Sequence, residues 1–257
     1  MASAAQPNHD RIIAQLSQEF LTDAQERIGM VEKALGSGGV PDPDALMTIR
    51  REIHNIKGMG GSFGFPVISL IAHRLEDYIS GLDALDDRHV SDLAVFVDRL
   101  QDIVEAGRDP DDGAAGTLVR SLPAHPGAEF DESKVRDVEV LLVSPSKAMS
   151  QVTVHTLRAC GYRVTTARTA WEAIEIAVRA QPDLIITSAV MAGVSGVDLV
   201  RALACMTATE GVPVAVLTSF SKDHQELRRL PSEVPVIRLG DTFDADLADI
   251  ITEFGLA

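Results

Sequence analysis

At 257 residues the chain is long for a single core and sufficient for two domains of about 100 to 130 residues each. Hydrophobic residues make up 46% of it but aromatics only 4%, so any cores are expected to be aliphatic. The formal net charge of −15 argues against a nucleic-acid partner, because phosphate backbones are bound by clusters of Lys and Arg.

Two cysteines, Cys160 and Cys205, lie far apart with no metal-like pairing, and a reducing cytosol is the simplest setting for them. The opening MASAAQPNHD lacks a basic start and an apolar run, so no signal peptide is expected. No stretch approaches the ~18 to 20 continuous apolar residues that a membrane helix needs. The expectation is a soluble cytoplasmic protein with no membrane or nucleic-acid partner.

Up to about Gly107 the pattern is helical. Phe20, Ala24, Ile28, Val31 and Leu35 recur at three- and four-residue spacing, which marks one buried helical face. After Gly36-Ser-Gly-Gly, Asp42-Pro43 restarts the chain, and Leu46, Ile49, Ile53, Ile56 and Phe63 form the next stripe. A third helix from about Pro66 points Ile68, Ile71, Leu75, Tyr78 and Leu82 inward. A fourth, from near Arg88, buries Leu93, Val97, Leu100 and Val104. Four amphipathic helices with short connections predict an all-α antiparallel bundle over 1–107.

From 108 to 136 the composition turns to Asp, Gly, Pro and Ser, as in RDPDDGAAG, and reads as a linker. Over 137–257 the pattern alternates. Apolar runs at 138–143, 162–167, 183–188, 212–218 and 234–239 predict strands. Amphipathic segments at 148–160, 170–180, 196–206, a short one near 222–230, and 243–254 predict helices. Five β-α repeats imply a doubly wound parallel sheet with helices on both faces.

The most informative segment is His54-Asn-Ile-Lys57-Gly58-Met-Gly60-Gly61-Ser62-Phe63-Gly64-Phe65. His54 follows the core residue Ile53, so it lies about 100° around the helix and faces outward. Lys57 and Gly58, three and four residues on, share its face, and Arg50 and Arg51 precede it by a turn. Each glycine in a helix interior costs roughly 1 kcal/mol relative to alanine, which is tolerated when something must approach the backbone closely. Lys57 can neutralise a phosphoryl oxygen, and a neutral imidazole is a usable nucleophile at cellular pH.

His-x-x-Lys-Gly, the small-residue run, Phe-Gly-Phe, and His73-x-x-Glu76 on the next helix together resemble the histidine-phosphotransfer (HPt) family. The resemblance is to the variant found at the N-terminus of chemotaxis-type histidine kinases, and it covers residues from about 10 to 107. It implies that His54 is the phosphorylated residue. It also implies that Glu76 hydrogen-bonds His54, orients its ring and makes the other nitrogen more nucleophilic, with Lys57, Gly58 and His73 in support. Taken singly, a helical histidine is usually a plain surface residue, Glu76 could be a solvated acid, and His73 could be a packed helix residue.

The second half resembles a response-regulator receiver domain, with a flavodoxin-like fold. PDLIITSAVMAGVSGVDLVRAL follows the family's third strand and loop, and Thr218 matches its hydroxyl position. Other functional positions depart from the pattern. Ser144-Pro145 stand where the family has an acidic pair, Ser188 stands at the phospho-accepting aspartate, and Gly240-Asp241 replace the lysine after the fifth strand. Receiver chemistry needs carboxylates for Mg²⁺, a carboxylate nucleophile and a cation on the phosphoryl oxygens. The expectation is a pseudo-receiver that binds no metal and takes no phosphate, leaving a surface for docking, regulation or homodimerisation.

The resemblances imply a carrier of a bacterial two-component phosphorelay, not itself an enzyme, exchanging phosphate with a histidine kinase or a partner receiver. No cofactor is expected on this chain, with Mg²⁺ on the partner. The alternative is a phosphorylation-independent scaffold that binds a kinase or response regulator through the pseudo-receiver.

Overall fold

The computed structural model describes residues 6–36, 44–124, 136–221, 223–240 and 242–256. Asp241, the restart at Asp42-Pro43 and the 125–135 part of the expected linker lie outside them. The chain divides into two compact units, Met1–Pro123 and Ala124–Ala257.

The first unit is helical. Helix α1 (Gln6–Leu35) turns Phe20, Ala24, Ile28, Val31 and Leu35 into the core. There they meet Ile49, Ile53 and Ile56 of α2 (Ala45–Gly60), Ile68, Ile71 and Leu75 of α3 (Pro66–Ile79), and Leu93, Val97 and Leu100 of α4 (Asp87–Ala106). A 3₁₀ turn, Gly61–Phe63, joins α2 to α3, so Phe63 lies beyond α2 instead of closing its stripe. Among the described residues of this unit, one acid enters the interior. Glu52 is buried, and its carboxylate is matched by Arg27 at 2.9 Å and Arg51 at 2.8 Å, as a desolvated charge requires.

Two features of α4 set its limits. Asp86 caps its start by accepting the His89 amide at 2.8 Å, and Gly107 ends it in the left-handed region at φ 63°.

The linker expected over 108–136 needs correcting at its start. Asp112–Arg120 form a fifth helix, α5, capped by Asp111, whose side chain accepts the Ala114 amide at 2.9 Å. Ala115, Val119 and Leu122 are buried, and Ala115 and Leu122 belong to the bundle core. Asp109 accepts the Val67 amide at 3.0 Å and so caps the first turn of α3. Asp and Gly suit a loop, but here Asp109 and Asp111 are caps, and three spaced apolar residues are enough to dock a short helix.

The second unit is a five-stranded parallel sheet in the order β2-β1-β3-β4-β5. The strands are β1 (Glu139–Val143), β2 (Arg163–Ala167), β3 (Leu184–Ser188), β4 (Val214–Thr218) and β5 (Val236–Arg238). Helices α6 (Lys147–Ala159) and α9 (Phe243–Glu253) cover one face, over Val140, Leu142, Ile186 and Leu217. Helices α7 (Ala170–Ala180) and α8 (Gly196–Ala204) cover the other. All five residues of β1 and of β3 are buried, as expected of inner strands covered on both faces.

Between β4 and β5 the expected amphipathic helix near 222–230 is only a 3₁₀ turn, Gln225–Leu227, with Leu227 as its buried residue. Pro231 and the polar residues before it leave too few apolar positions to anchor a full helix.

Candidate functional site

His54 stands on α2 with 76% of its side chain exposed, beside the fully buried Ile53. The short turn after Gly60 folds α3 back along α2 and brings Glu76 opposite. Glu76 Oε1 lies 2.9 Å from His54 Nδ1, and Glu76 Oε2 accepts from Lys57 Nζ at 2.8 Å. One carboxylate thus ties together a histidine and a lysine that lie a helical turn apart.

Burial pushes the Glu76 carboxyl up. Lys57, by hydrogen bond and by charge, and then His54 outweigh that effect and hold it below the ordinary glutamate range. An ionised carboxylate can only accept. The neutral imidazole therefore carries its proton on Nδ1, and Nε2 keeps its lone pair toward solvent.

Several neighbours hold this arrangement in place. Ser69 Oγ donates to Lys57 O at 2.8 Å and accepts from the Gly61 amide at 2.9 Å, closing the end of α2 against α3. Gly60 is needed there, since a Cβ would sit 2.7 Å from Ser69 Oγ and 2.8 Å from Phe65 O. Gly58 differs, because a Cβ there would meet nothing within 4 Å. The clearance on the His54 face therefore belongs to Gly58, whereas Gly60 serves packing inside the bundle.

Gly64, at φ 90°, reverses the chain so that Phe63 and Phe65 both stack on Phe20, with centroids at 5.5 and 5.6 Å. Arg50 does not join His54's partners. It donates to Leu82 O at 2.6 Å and Ile79 O at 3.3 Å, capping the end of α3. His73 is buried on α3, with Nε2 3.6 Å from Asp77 Oδ2.

The second unit has a cleft of about 160 Å³ at the carboxyl ends of β1, β3 and β4. Ser144, Pro145, Ser188 and Thr218 all line it, so the sheet gathers positions that are far apart in the chain. Ser144 and Ser188 are 3% and 6% exposed, and neither Oγ has a hydrogen-bond partner among the described residues. Thr218 Oγ1 accepts the Phe220 amide at 3.1 Å. Gly196, at the start of α8, passes so close to β3 that a Cβ would lie 2.0 Å from Ser188 O.

Compared with protein families, residues 15–109 match the Hpt domain and residues 140–233 match the response regulator receiver domain. The chain carries an Hpt domain followed by a receiver domain. This pairing is that of a protein of two-component phosphorelay signalling. Comparison with curated protein sequences gives no match.

Similar solved structures include the chemotaxis protein CheY4 of Vibrio cholerae, 25% identical, covering 46% of this chain and 98% of that one at a TM-score of 0.40. A response regulator from Desulfuromonas acetoxidans is 26% identical, with 46% and 98% covered and a TM-score of 0.41. The receiver domain of a sensor histidine kinase from Pseudomonas aeruginosa, solved with magnesium coordinated in its active-site cleft, is 20% identical, with 46% and 98% covered and a TM-score of 0.42.

The described residues that line this receiver domain's cleft include no carboxylate to hold Mg²⁺. A hard divalent ion wants carboxylate oxygens, and the described lining is serine, threonine, proline and apolar side chains. Among the described residues no three His, Cys, Asp or Glu side chains gather as a metal site, and no helix is long and apolar enough to cross a membrane.

Sequence reasoning missed Ser69 and Asp109. The serine's signal was the demand for small residues at the α2–α3 crossing. The aspartate's signal was an acid where the Val67 amide needed an acceptor, which becomes visible only once α5 is placed.

Proposed function

We propose that the Hpt domain carries a phosphoryl group on His54 Nε2, accepting it from a kinase or a partner receiver and passing it on. The observation that carries this reading is the single carboxylate of Glu76 shared between His54 Nδ1 and Lys57 Nζ. In the forward step the Nε2 lone pair attacks phosphorus in line. The bond from phosphorus to the donor's carboxylate or ADP oxygen breaks, and its electron pair leaves with that oxygen. The proton stays on Nδ1, so the ring becomes cationic as the new P–N bond forms, and Glu76 stabilises that charge. Lys57, at the same carboxylate, is placed to meet the incoming phosphoryl oxygens.

The chain acts as a carrier, not a kinase, and the Mg²⁺ that neutralises the phosphoryl group belongs to the partner. The exposed His54 face, with open space over Gly58, supports docking into a concave active site. The receiver domain takes no phosphate of its own, because Ser188 and Ser144-Pro145 supply neither nucleophilic carboxylate nor metal ligands. It serves as a docking or regulatory surface, within one protomer or between two.

The test is incubation of the full chain with labelled ATP and each candidate kinase, or with phosphorylated receivers, beside His54→Gln and a Mg²⁺-only control. Acid-labile, base-stable label on the wild type and none on His54→Gln is the expected result. If no donor labels the protein while a kinase or receiver still binds it, the carrier reading fails and a phosphorylation-independent scaffold replaces it.

A further inference from the structure

The receiver domain's cleft has no part in the His54 chemistry. It lies between β1 and β3, where successive crossovers leave for opposite faces of the sheet, the place where doubly wound folds hold ligands. None of its described lining residues is charged. Two of them, Ser144 and Ser188, bury hydroxyls with no partner in the described structure. Buried polar groups in native proteins nearly always have partners, and two orphans in one cleft point to one supplied from outside the described residues.

The remaining walls are apolar. Met149 and Leu239 line the cleft, as does Phe220, whose ring is braced by stacking on His224 with centroids 3.8 Å apart. The volume of about 160 Å³ is close to the ~150 Å³ of an apolar protein cavity that takes one benzene ring.

We propose that this cleft binds a small uncharged molecule of single-ring size with a hydrogen-bonding oxygen or nitrogen on one edge. Ser144 and Ser188 are its polar partners, and Phe220 is its apolar wall. In the described lining, the lack of a cation disfavours phosphate and the lack of a carboxylate disfavours a metal ion. The receiver domain then reads a neutral ligand in place of a phosphoryl group. This inference does not depend on His54 being phosphorylated.

The experiment is residue-resolved NMR on the full ¹⁵N-labelled chain. It is titrated separately with phenol, with 2-pyridone, with toluene, and with inorganic phosphate plus Mg²⁺. Saturable shifts at Ser144, Ser188, Thr218 and Phe220 are expected with phenol or 2-pyridone. Ser144→Ala and Ser188→Ala should each weaken that binding about fivefold, the usual worth of one neutral hydrogen bond, while leaving toluene unaffected. Retained amide dispersion shows that each variant is folded.

Three results overturn the proposal: no saturable shift with either polar probe up to its solubility limit, equal weakening of toluene and phenol by the serine variants, or a response to phosphate with Mg²⁺ alone. The first would leave ordered water as the partner of the two hydroxyls. Labelling of His54 by its donor, read on the same samples, reports on the carrier function separately.

Discussion

On the Hpt domain, His54 is three-quarters exposed, with its Nδ1 on a carboxylate that Lys57 also holds. In the receiver domain, Ser144 and Ser188 are buried at the strand ends, in a cleft with no charged residue in its described lining. The first site is exposed and charged, and its groups fix one another by hydrogen bonds. The second is a cleft whose described lining carries no charge, and the Ser144 and Ser188 hydroxyls have no hydrogen-bond partner among the described residues. On the proposed carrier function, His54 enters another protein's cleft and has to bring its own orientation. A cleft can leave its hydrogen bonds to be completed by what it holds.

The largest effect expected on this comparison is the loss of all label in His54→Gln. Glu76→Gln should come next. It keeps the shape but removes a charge-assisted hydrogen bond worth about 1.5–3 kcal/mol, which lowers the rate of phosphoryl acceptance roughly 10- to 100-fold. Stopped-flow or quenched labelling with a fixed donor measures it. An unchanged rate would mean that the pre-set charge on the bundle is irrelevant and would break the contrast between the sites.

Packing glycines offer a second test. Gly196→Ala forces a Cβ onto the Ser188 carbonyl and should destabilise the receiver domain by up to about 3 kcal/mol, as overpacking does. Gly60→Ala, against Ser69 and Phe65, should destabilise the Hpt domain by about 1–3 kcal/mol. Urea unfolding followed residue by residue assigns each loss to its domain.

Gly58→Ala should have the opposite sign. With open space around it, the domain should gain about 0.5–1 kcal/mol of helix stability. A bulkier Gly58→Leu should slow transfer from a partner while leaving the fold intact. If Gly58→Ala destabilised as Gly60→Ala does, the division between a docking glycine and a packing glycine would be wrong.

The smallest effect concerns pH. Glu76 has a depressed folded-state pKa, so its contribution to stability is present above the ordinary glutamate value of about 4.3. It is lost only as pH falls through the lower folded value. An NMR titration should place the Glu76 carboxyl below the exposed glutamates, and Lys57→Ala should bring it back toward them. The part of the Glu76 side chain left in solvent limits the accompanying change in stability.

Much of this molecule is legible from periodicity. Ile49, Ile53 and Ile56 repeat at helical spacing and are fully buried, because a helix has one face to hide and the spacing declares it. The continuous apolar runs of β1 and β3 declare strands covered on both faces for the same reason. Less was legible where a short segment relies on distant partners. The 112–120 helix has the composition of a loop, and it holds only because Ala115, Val119 and Leu122 find a prepared apolar surface. The segment near 225 failed in the other direction, having polar periodicity without enough apolar anchors.

By itself the sequence determined the two-domain order and the outward position of His54 one residue beyond a core isoleucine. These follow from residue type and local spacing, which need no knowledge of what lies across the chain. Only the tertiary structure decided that Glu76 is shared between His54 and Lys57, that Arg50 caps α3 and not the site, and that Gly58 is open while Gly60 is packed. It alone brought Ser144 and Ser188 into one cleft with their hydroxyls unmatched. Each of these is a contact between elements distant in sequence, set by how helices and strands pack, and the distance between two side chains across a packed interface is written in neither of them alone.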